Sequence, residues 1–187
     1  MKKFFASLLA LVGMVAGLTL TSCGGGGGGG ENLSGTEMIV NGSVATYRVS
    51  FVSKISDDSY EALISDFANT TISSMLITVT ESKKADGADD KDGDFIYLKG
   101  VVSPASLEVN NNQAFYQILT GVNSANDSIS ELSFVKAMEF EYDAAKKTVM
   151  WTGKISFKAI ANNATQEADV EIERNDTVVY FGKDAGL

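Results

Sequence analysis

Apolar and polar residues alternate along most of the C-terminal third of this chain. In the longest such segment the apolar positions are Val149, Trp151, Gly153, Ile155, Phe157 and Ala159. The positions between them include Thr148, Thr152, Lys154, Ser156 and Lys158. Successive side chains of a β-strand point to opposite faces of a sheet, so this spacing places the apolar residues on one face. The pattern therefore predicts a half-buried strand.

The same alternation recurs in other parts of the chain. It occupies 45–55, 75–79, 134–142 and 170–172, a more continuous apolar run covers 95–102, and Phe115, Ile118 and Leu119 mark another strand. Turn-forming residues separate these segments at Asn41-Gly42, 143–147, Asn162-Asn163 and Asn175-Asp176. Asn-Gly is a strong hairpin signal, and it predicts that 38–40 pairs with the strand that follows. The last four predicted strands form an antiparallel meander.

One segment has helical spacing instead. Its apolar residues are Tyr60, Leu63, Ile64 and Phe67, which lie at i, i+3, i+4 and i+7. This spacing forms a single apolar stripe on a helix. Asp58 is followed three positions later by Glu61, which is similar to a capping box. We therefore expect one short helix near 58–68.

These elements together predict an all-β, mainly antiparallel fold with about nine or ten strands and one short helix. Long strands joined by short hairpins favour a barrel-like closure of lipocalin size, with a β-sandwich as the alternative. The length suits one domain, which we place at 36–187.

The N-terminal residues have the composition of an export signal. Lys2 and Lys3 precede an apolar run from Phe4 to Leu20, which is marginal for a membrane span of about 20 apolar residues. The run ends in Leu20-Thr21-Ser22-Cys23. This ending resembles the lipobox of bacterial lipoproteins, in which an aliphatic residue and two small residues precede an obligatory cysteine.

The resemblance implies that 1–22 is a signal peptide and that Cys23 is lipidated, with a diacylglycerol on sulfur and usually a further acyl chain such as palmitate. Ser22 departs from the usual glycine or alanine before the cysteine. A plain cleaved signal and an uncleaved membrane helix are the alternatives. The cysteine count favours the lipoprotein, because Cys23 is the only cysteine and cannot form an intramolecular disulfide.

Residues 23–35 predict a lipidated cysteine followed by a flexible tether. Gly24 to Gly30 is an unbroken glycine run, and glycine has the largest conformational freedom of any residue. Surface lipoproteins of Gram-negative bacteria similarly follow the lipidated cysteine with glycines and then β-barrel domains. Gly24 in place of aspartate resembles the enterobacterial sorting signal for the outer membrane. We therefore expect a cell-envelope lipoprotein, on the periplasmic face of the outer membrane or at the cell surface.

The charge balance excludes nucleic acid as an expected partner. Removal of 1–22 would take away Lys2 and Lys3 and leave 13 basic residues against 24 acidic ones, a formal charge of −11. Such a protein repels nucleic acid and anionic lipid head groups. The membrane would be contacted through the lipid on Cys23.

The chain contains no histidine and no second cysteine. The usual Ser-His-Asp and Cys-His catalytic groups are therefore excluded, as are the usual zinc and copper ligands. Carboxylate, amide, hydroxyl and carbonyl groups remain, and these suit calcium or sugar hydroxyls.

The most charged segment is a candidate calcium loop, containing Asp86, Asp89, Asp90, Asp92 and Asp94. Calcium takes six to eight oxygen ligands. In an EF-hand frame, however, Ala88 and Lys99 occupy the first and twelfth positions, where carboxylates are needed. We expect a solvated loop with at most loose calcium affinity and assign no metal site.

Three further groups have both a binding and a structural interpretation. The aromatic residues Tyr97, Phe115, Tyr116, Tyr142 and Trp151 are candidates for a sugar or lipid site, but their alternating context favours a core. The glutamates Glu139, Glu141, Glu171 and Glu173 are candidates for a glycosidase-type carboxylate pair, but alternation favours a solvated face. Asn110-Asn111-Asn112 favours a hairpin turn over sugar binding.

We therefore expect an anchored β domain that acts as a binding or interaction module, without a cofactor and not as an enzyme. The alternative is a structural or assembly lipoprotein that partners another envelope protein. An envelope protein or a glycan is the expected partner.

Overall fold

The computed structural model describes residues 33–85, 95–123 and 128–183. These residues form eight strands and one helix. In chain order they are β1 (Thr36–Asn41), β2 (Thr46–Lys54), β3 (Ser59–Ser65), β4 (Thr71–Lys84), β5 (Phe95–Val109), α1 (Asn112–Thr120), β6 (Ser128–Asp143), β7 (Thr148–Ala161) and β8 (Ala164–Lys183).

The strands follow one another in a single closed barrel. Each strand pairs antiparallel with the next, and β8 returns to pair with β1 from Thr36↔Lys183 to Asn41↔Thr177. This closure leaves the paired part of the sheet without edges. The prediction of an all-β, antiparallel fold with one short helix is confirmed.

Side chains fill the interior of the barrel. The strand predicted from the alternation at 148–159 is β7, and its inward residues Val149, Trp151 and Ile155 are buried. The largest fully buried side chains are Tyr47, Tyr60, Phe51, Phe115, Phe140, Leu33, Met38, Ile64, Met75, Ile77, Leu98 and Leu119. One close approach needs a glycine, because a Cβ on Gly100 would lie 2.3 Å from the Phe140 ring. The core is therefore packed rather than hollow.

The predicted helix near 58–68 is wrong. Residues 59–65 form β3, which pairs with β2 on one side and β4 on the other. Tyr60 and Ile64 fit both a helical and a strand period, but Ala62 between them is also buried and Leu63 is only half-buried. Phe67, the last member of the predicted stripe, is 53% exposed. Pairing with two neighbouring strands therefore decided the structure of this segment.

The helix lies instead at α1, where the sequence analysis placed a strand. Phe115, Ile118 and Leu119 are its buried residues, and their spacing is that of a helical face. Asn111 is its N-cap, because the side chain accepts a hydrogen bond from the Ala114 amide at 3.0 Å. Gly121 is its C-cap, with a left-handed φ of 71°. The predicted hairpin turn at Asn110–Asn112 is therefore a helix start.

The hairpin predicted at Asn41-Gly42 and the turns at 143–147 and Asn162-Asn163 are confirmed. The turn predicted at Asn175-Asp176 is wrong, because β8 continues through both residues. The C-terminal meander therefore has three long strands rather than four. Asp176 is buried inside the barrel. Its carboxylate accepts hydrogen bonds from the side chains of Tyr47 and Arg174 instead of from the backbone of a turn.

The alternating strand directions give the barrel two distinct ends. The entry end contains Leu33, the β2–β3 turn at 55–58 and the β6–β7 turn at 144–147. The helix end contains the β1–β2 hairpin at 42–45, α1 and the β7–β8 turn at 162–163. The chain therefore enters the barrel at the end opposite α1.

Leu33, the first described residue, packs into the core. The side chain of Leu33 is buried in the core, and its carbonyl accepts a hydrogen bond of 2.8 Å from the Thr36 amide. The Gly35 amide donates to the Phe51 carbonyl at 2.7 Å. Residues 33–35, which were expected to belong to the tether, therefore contact the barrel, because burial of the leucine side chain favours docking over solvation.

Candidate functional site

The predicted aromatic site is divided between the core and the surface. Phe115, Tyr142 and Trp151 are buried, as the core interpretation expects. Tyr116 is half-buried, and its ring lies 4.8 Å from that of Phe157. Tyr97 is also half-buried, with the Lys83 ammonium 4.9 Å from its ring centre. These five side chains do not converge on one pocket.

A polar network crosses the barrel interior near the helix end. The indole Nε1 of Trp151 donates to the Tyr47 hydroxyl at 3.1 Å, and that hydroxyl donates to the Asp176 carboxylate at 3.2 Å. Arg174 Nε donates to both oxygens of the same carboxylate, at 2.8 and 2.9 Å. Burial, followed by the charge of Asp176, raises the pKa of Tyr47 far above its ordinary value. Tyr47 therefore remains a neutral donor.

Two glycines enclose the guanidinium of Arg174. A Cβ on Gly121 would lie 1.8 Å from Nη1, and a Cβ on Gly42 would lie 2.9 Å from Nη2. The Arg174 side chain is only 10% exposed, and its Nη2 makes no hydrogen bond with the described residues. Its charge lies beside the C-terminus of α1, where a cation is favourable. The guanidinium of Arg174 therefore lies between the C-terminus of α1 and the β1–β2 hairpin.

This network was not predicted from the sequence, because Asn175-Asp176 resembles a turn. The alternation of the sequence did indicate it, because Arg174 and Asp176 lie at alternate positions between the buried residues Ile172 and Val178. All four residues therefore share the inward face of β8. Two opposite charges on a buried strand face indicate an internal ion pair.

An open cleft of about 350 Å³ lies on the outer surface of β6, β7 and β8. A bulge in β6 shapes it, because the pairing register with β7 shifts between Lys136 and Glu139. Met138 at this bulge covers Gly153, where a Cβ would lie 2.2 Å from its sulfur. The cleft is lined by Lys136, Ala137, Glu139, Thr152, Gly153, Glu171, Ile172 and Glu173.

Three of the four predicted glutamates line this cleft, and Glu141 does not. Glu139 and Glu173 lie on either side of Thr152 in neighbouring strands, which separates their Cα atoms by roughly 10 Å. Glu139 is ion-paired with Lys99 at 3.4 Å, and its side chain is 49% exposed. Glu171 is 3.6 Å from Lys154. The glutamates therefore lie on a solvated, ion-paired face.

Lys154 links the carboxylates of β8 to β7. Its ammonium lies 3.2 Å from Asp169 and 3.6 Å from Glu171. The hydrogen bond to Asp169 is the main cause that raises the pKa of Lys154, followed by the charge of the same carboxylate. Lys158 is bound in the same way to Glu131 at 2.8 Å. These lysines neutralise only part of the acidic surface of β8.

The candidate calcium loop at Asp86, Asp89, Asp90, Asp92 and Asp94 and the lipidation site at Cys23 lie outside the described residues. Within 33–85, 95–123 and 128–183, no three acidic, histidine or cysteine side chains are grouped to hold a metal ion.

The last three strands extend beyond the closed part of the barrel. β7 pairs with β8 from Ala164 to Thr177, but β1 pairs with β8 only from Thr177 onward. β5 pairs with β6 only at 138–143. Residues 128–136, 152–161 and 164–173 therefore form a three-stranded extension at the helix end.

The two edges of this three-stranded extension differ. At the β6 edge, the Asn112 side-chain amide donates to the Ser130 carbonyl at 3.0 Å. The Ile129 amide donates to the Gln113 side chain at 3.1 Å. Helix α1 thus supplies hydrogen-bond partners to the β6 edge. At the β8 edge, residues 164–169 are exposed on both faces.

In the part of the chain that the structure describes, no helix has the length and apolar character needed to cross a membrane. Comparison with protein-family models, with curated proteins and with solved structures gives no match for this chain.

Proposed function

We propose that this protein is a lipid-anchored lipoprotein of the bacterial cell envelope whose barrel is a non-catalytic interaction module. The observation that carries the proposal is the filled interior, in which large aromatic side chains such as Tyr47, Phe51 and Phe140 occupy the space that a ligand would need. Binding is therefore assigned to the outer surface of the barrel and its three-stranded extension.

The arrangement of the two ends supports display away from an anchor. The chain enters at Leu33, directly after the proposed tether, while α1 and the three-stranded extension lie at the opposite end. A glycine-rich tether over 24–32, nine residues, spans roughly 15–18 Å. A barrel on such a tether presents its helix end to partners beyond the lipid head groups.

The cleft supports binding more than hydrolysis. A glycosidase needs two carboxylates on either side of an enclosed substrate, one of them held as an acid by burial. Glu139 and Glu171 instead lie in an open cleft and are ion-paired with Lys99 and Lys154. The second candidate function is a structural or assembly lipoprotein that binds another envelope protein, and the exposed β8 edge favours it.

Site-specific photocrosslinking in intact cells tests the proposal. A benzophenone amino acid at Val122 would report contacts of the helix end, and the matched control at Ile55 would report those of the entry end. Both side chains are more than half exposed, at 53% and 58%. We expect defined crosslinked products from position 122 and none from position 55. Crosslinks from position 55 alone would contradict the proposed orientation.

A further inference from the structure

We infer that the open edge of β8, residues 164–173, docks an extended segment of a partner protein that carries lysine or arginine at alternate positions. The segment adds as a fourth strand to the three-stranded extension. This inference rests on the proposed interaction function and names the class of partner.

The backbone of the open edge is available for pairing. One side of β8 pairs with β7 over this range, while β1 does not begin to pair on the other side until Thr177. Among the described residues, no backbone hydrogen bond joins the outer side of 164–173 to another element. Unpaired amides and carbonyls in a strand edge are a template for strand addition.

The opposite edge of the three-stranded extension, on β6, is bonded to α1. The Ile129 amide donates to the Gln113 side chain, and the Asn112 side chain donates to the Ser130 carbonyl. Proteins usually cover or shorten their sheet edges to prevent association. Here α1 bonds one edge and also contacts β8 near Arg174. The β8 edge lacks backbone partners among the described residues over 164–173, roughly 34 Å at 3.4 Å per residue, and is exposed on both faces at 164–169.

The charges on this edge select the partner. Glu167, Asp169, Glu171 and Glu173 alternate along β8 and therefore share the outer face. On the β7 side, Lys154 lies near Asp169 and Glu171. Lys158 faces Glu167 across the β7–β8 pairing but makes its ion pair with Glu131. Among the described residues, no cation forms an ion pair with Glu173. A strand on the open side with cations at alternate positions would place them opposite these carboxylates, as β7 does with Lys154.

The same charges disfavour a second copy of the chain. Two β8 edges paired together would bring carboxylates into opposite positions on one face, which destabilises a sheet. The acidic ladder therefore acts against self-association and in favour of a cationic strand.

The probe for this inference is a ten-residue peptide of alternating lysine and threonine. Two control peptides separate strand addition from simple charge attraction: one has the same composition with its lysines in a block, and the other is methylated on its six central backbone nitrogens. The protein is the full chain, purified in mild detergent. Because binding of these peptides does not require lipidation, failure here is distinct from failure of the anchoring proposal.

We expect the alternating peptide to bind at least tenfold more tightly than either control and to slow amide hydrogen exchange at 164–173. Glu173→Lys should weaken binding about two- to fivefold, the range of one exposed charge pair. Glu108→Lys, an exposed glutamate on β5, is the matched control and should change affinity less than twofold. Equal binding of all three peptides, protection elsewhere, or a β8-mediated dimer in sedimentation would overturn the inference.

Discussion

Trp151 and Tyr47 are joined across the barrel interior by a hydrogen bond of 3.1 Å from the indole nitrogen to the phenolic oxygen, between residues 104 positions apart in the chain. The hydroxyl then donates to Asp176, whose carboxylate is held by Arg174. This chain of contacts connects β2, β7 and β8 and ends beneath the C-terminus of α1. Four buried or largely buried polar side chains therefore bond to one another near the helix end.

Removal of the Tyr47 hydroxyl should destabilise the barrel. Tyr47→Phe leaves the buried Trp151 indole nitrogen without its acceptor and removes one of the two donors to Asp176 Oδ2, at a cost of about 1–3 kcal/mol. The measurement is the free energy of unfolding in urea. Tyr180→Phe is the matched control, because it removes a half-buried hydroxyl bonded to the Lys183 carbonyl and should cost less. Equal losses in both variants would contradict the role of the network.

The raised pKa of Tyr47 predicts a loss of stability in alkali. Burial is the largest cause of this shift. Above about pH 10 the unfolded chain loses this phenolic proton while the folded chain keeps it. The unfolded state then binds fewer protons than the folded state. The contribution of Tyr47 to the free energy of unfolding is therefore fully present below about pH 10 and decreases as the pH rises above it. Unfolding measured between pH 8 and pH 11 should show a steeper decline in the wild type than in Tyr47→Phe. Parallel curves would refute the assignment.

The enclosure of Arg174 predicts that two glycines with similar backbone angles respond differently to alanine. Gly121 and Gly35 both have positive φ, at 71° and 79°. A Cβ at Gly35 meets nothing within 4 Å, whereas one at Gly121 overlaps Arg174. Both substitutions incur backbone strain of about 1–2 kcal/mol, and Gly121→Ala must also displace the guanidinium. Its urea midpoint should therefore fall clearly below that of Gly35→Ala, and similar midpoints would be inconsistent with this packing.

The cover over the β6 edge predicts an effect on solubility. The double variant Asn112→Ala/Gln113→Ala removes the side chains bonded to Ser130 and Ile129 and leaves that strand edge open. We expect increased self-association, measured by light scattering over a range of concentrations. Gln117→Ala is the control on the same helix, because its side chain bonds Asn123 rather than the sheet. If the double variant scatters no more than this control, α1 does not protect the edge.

The strands were predictable where neighbouring residues in the sequence carry the pattern, either as alternation of apolar and polar side chains or as a turn dipeptide. The alternation around Trp151 identifies β7 because one face of that strand is buried and the other is solvated. The same argument correctly places the hairpin at Asn41-Gly42. Neither prediction depends on knowing which distant strand is the neighbour.

The errors arose where distant partners decide the structure. Tyr60 and Ile64 suit a helix as well as a strand, and only pairing with β2 and β4 selects the strand. By local sequence Asp176 resembles a turn residue, but in the structure its carboxylate accepts a hydrogen bond from Tyr47, 129 positions away. For α1, by contrast, the cap residues Asn111 and Gly121 were visible in the sequence and were outweighed by the strand interpretation. The glutamates of the cleft were predicted to be solvated. Glu171 and Glu173 share one face of β8, and Glu139 joins them because Thr152 pairs with both Glu139 and Glu173.

Acyl labelling at Cys23 tests the central claim most directly. Cells grown with a clickable palmitate analogue would express the wild type and Cys23→Ala, followed by detection of label on the purified protein and separation of membrane and soluble fractions. We expect label and membrane association for the wild type. We expect neither for Cys23→Ala, whose barrel should remain folded. A wild-type protein without lipid label would contradict the claim that this barrel is anchored through its N-terminal cysteine.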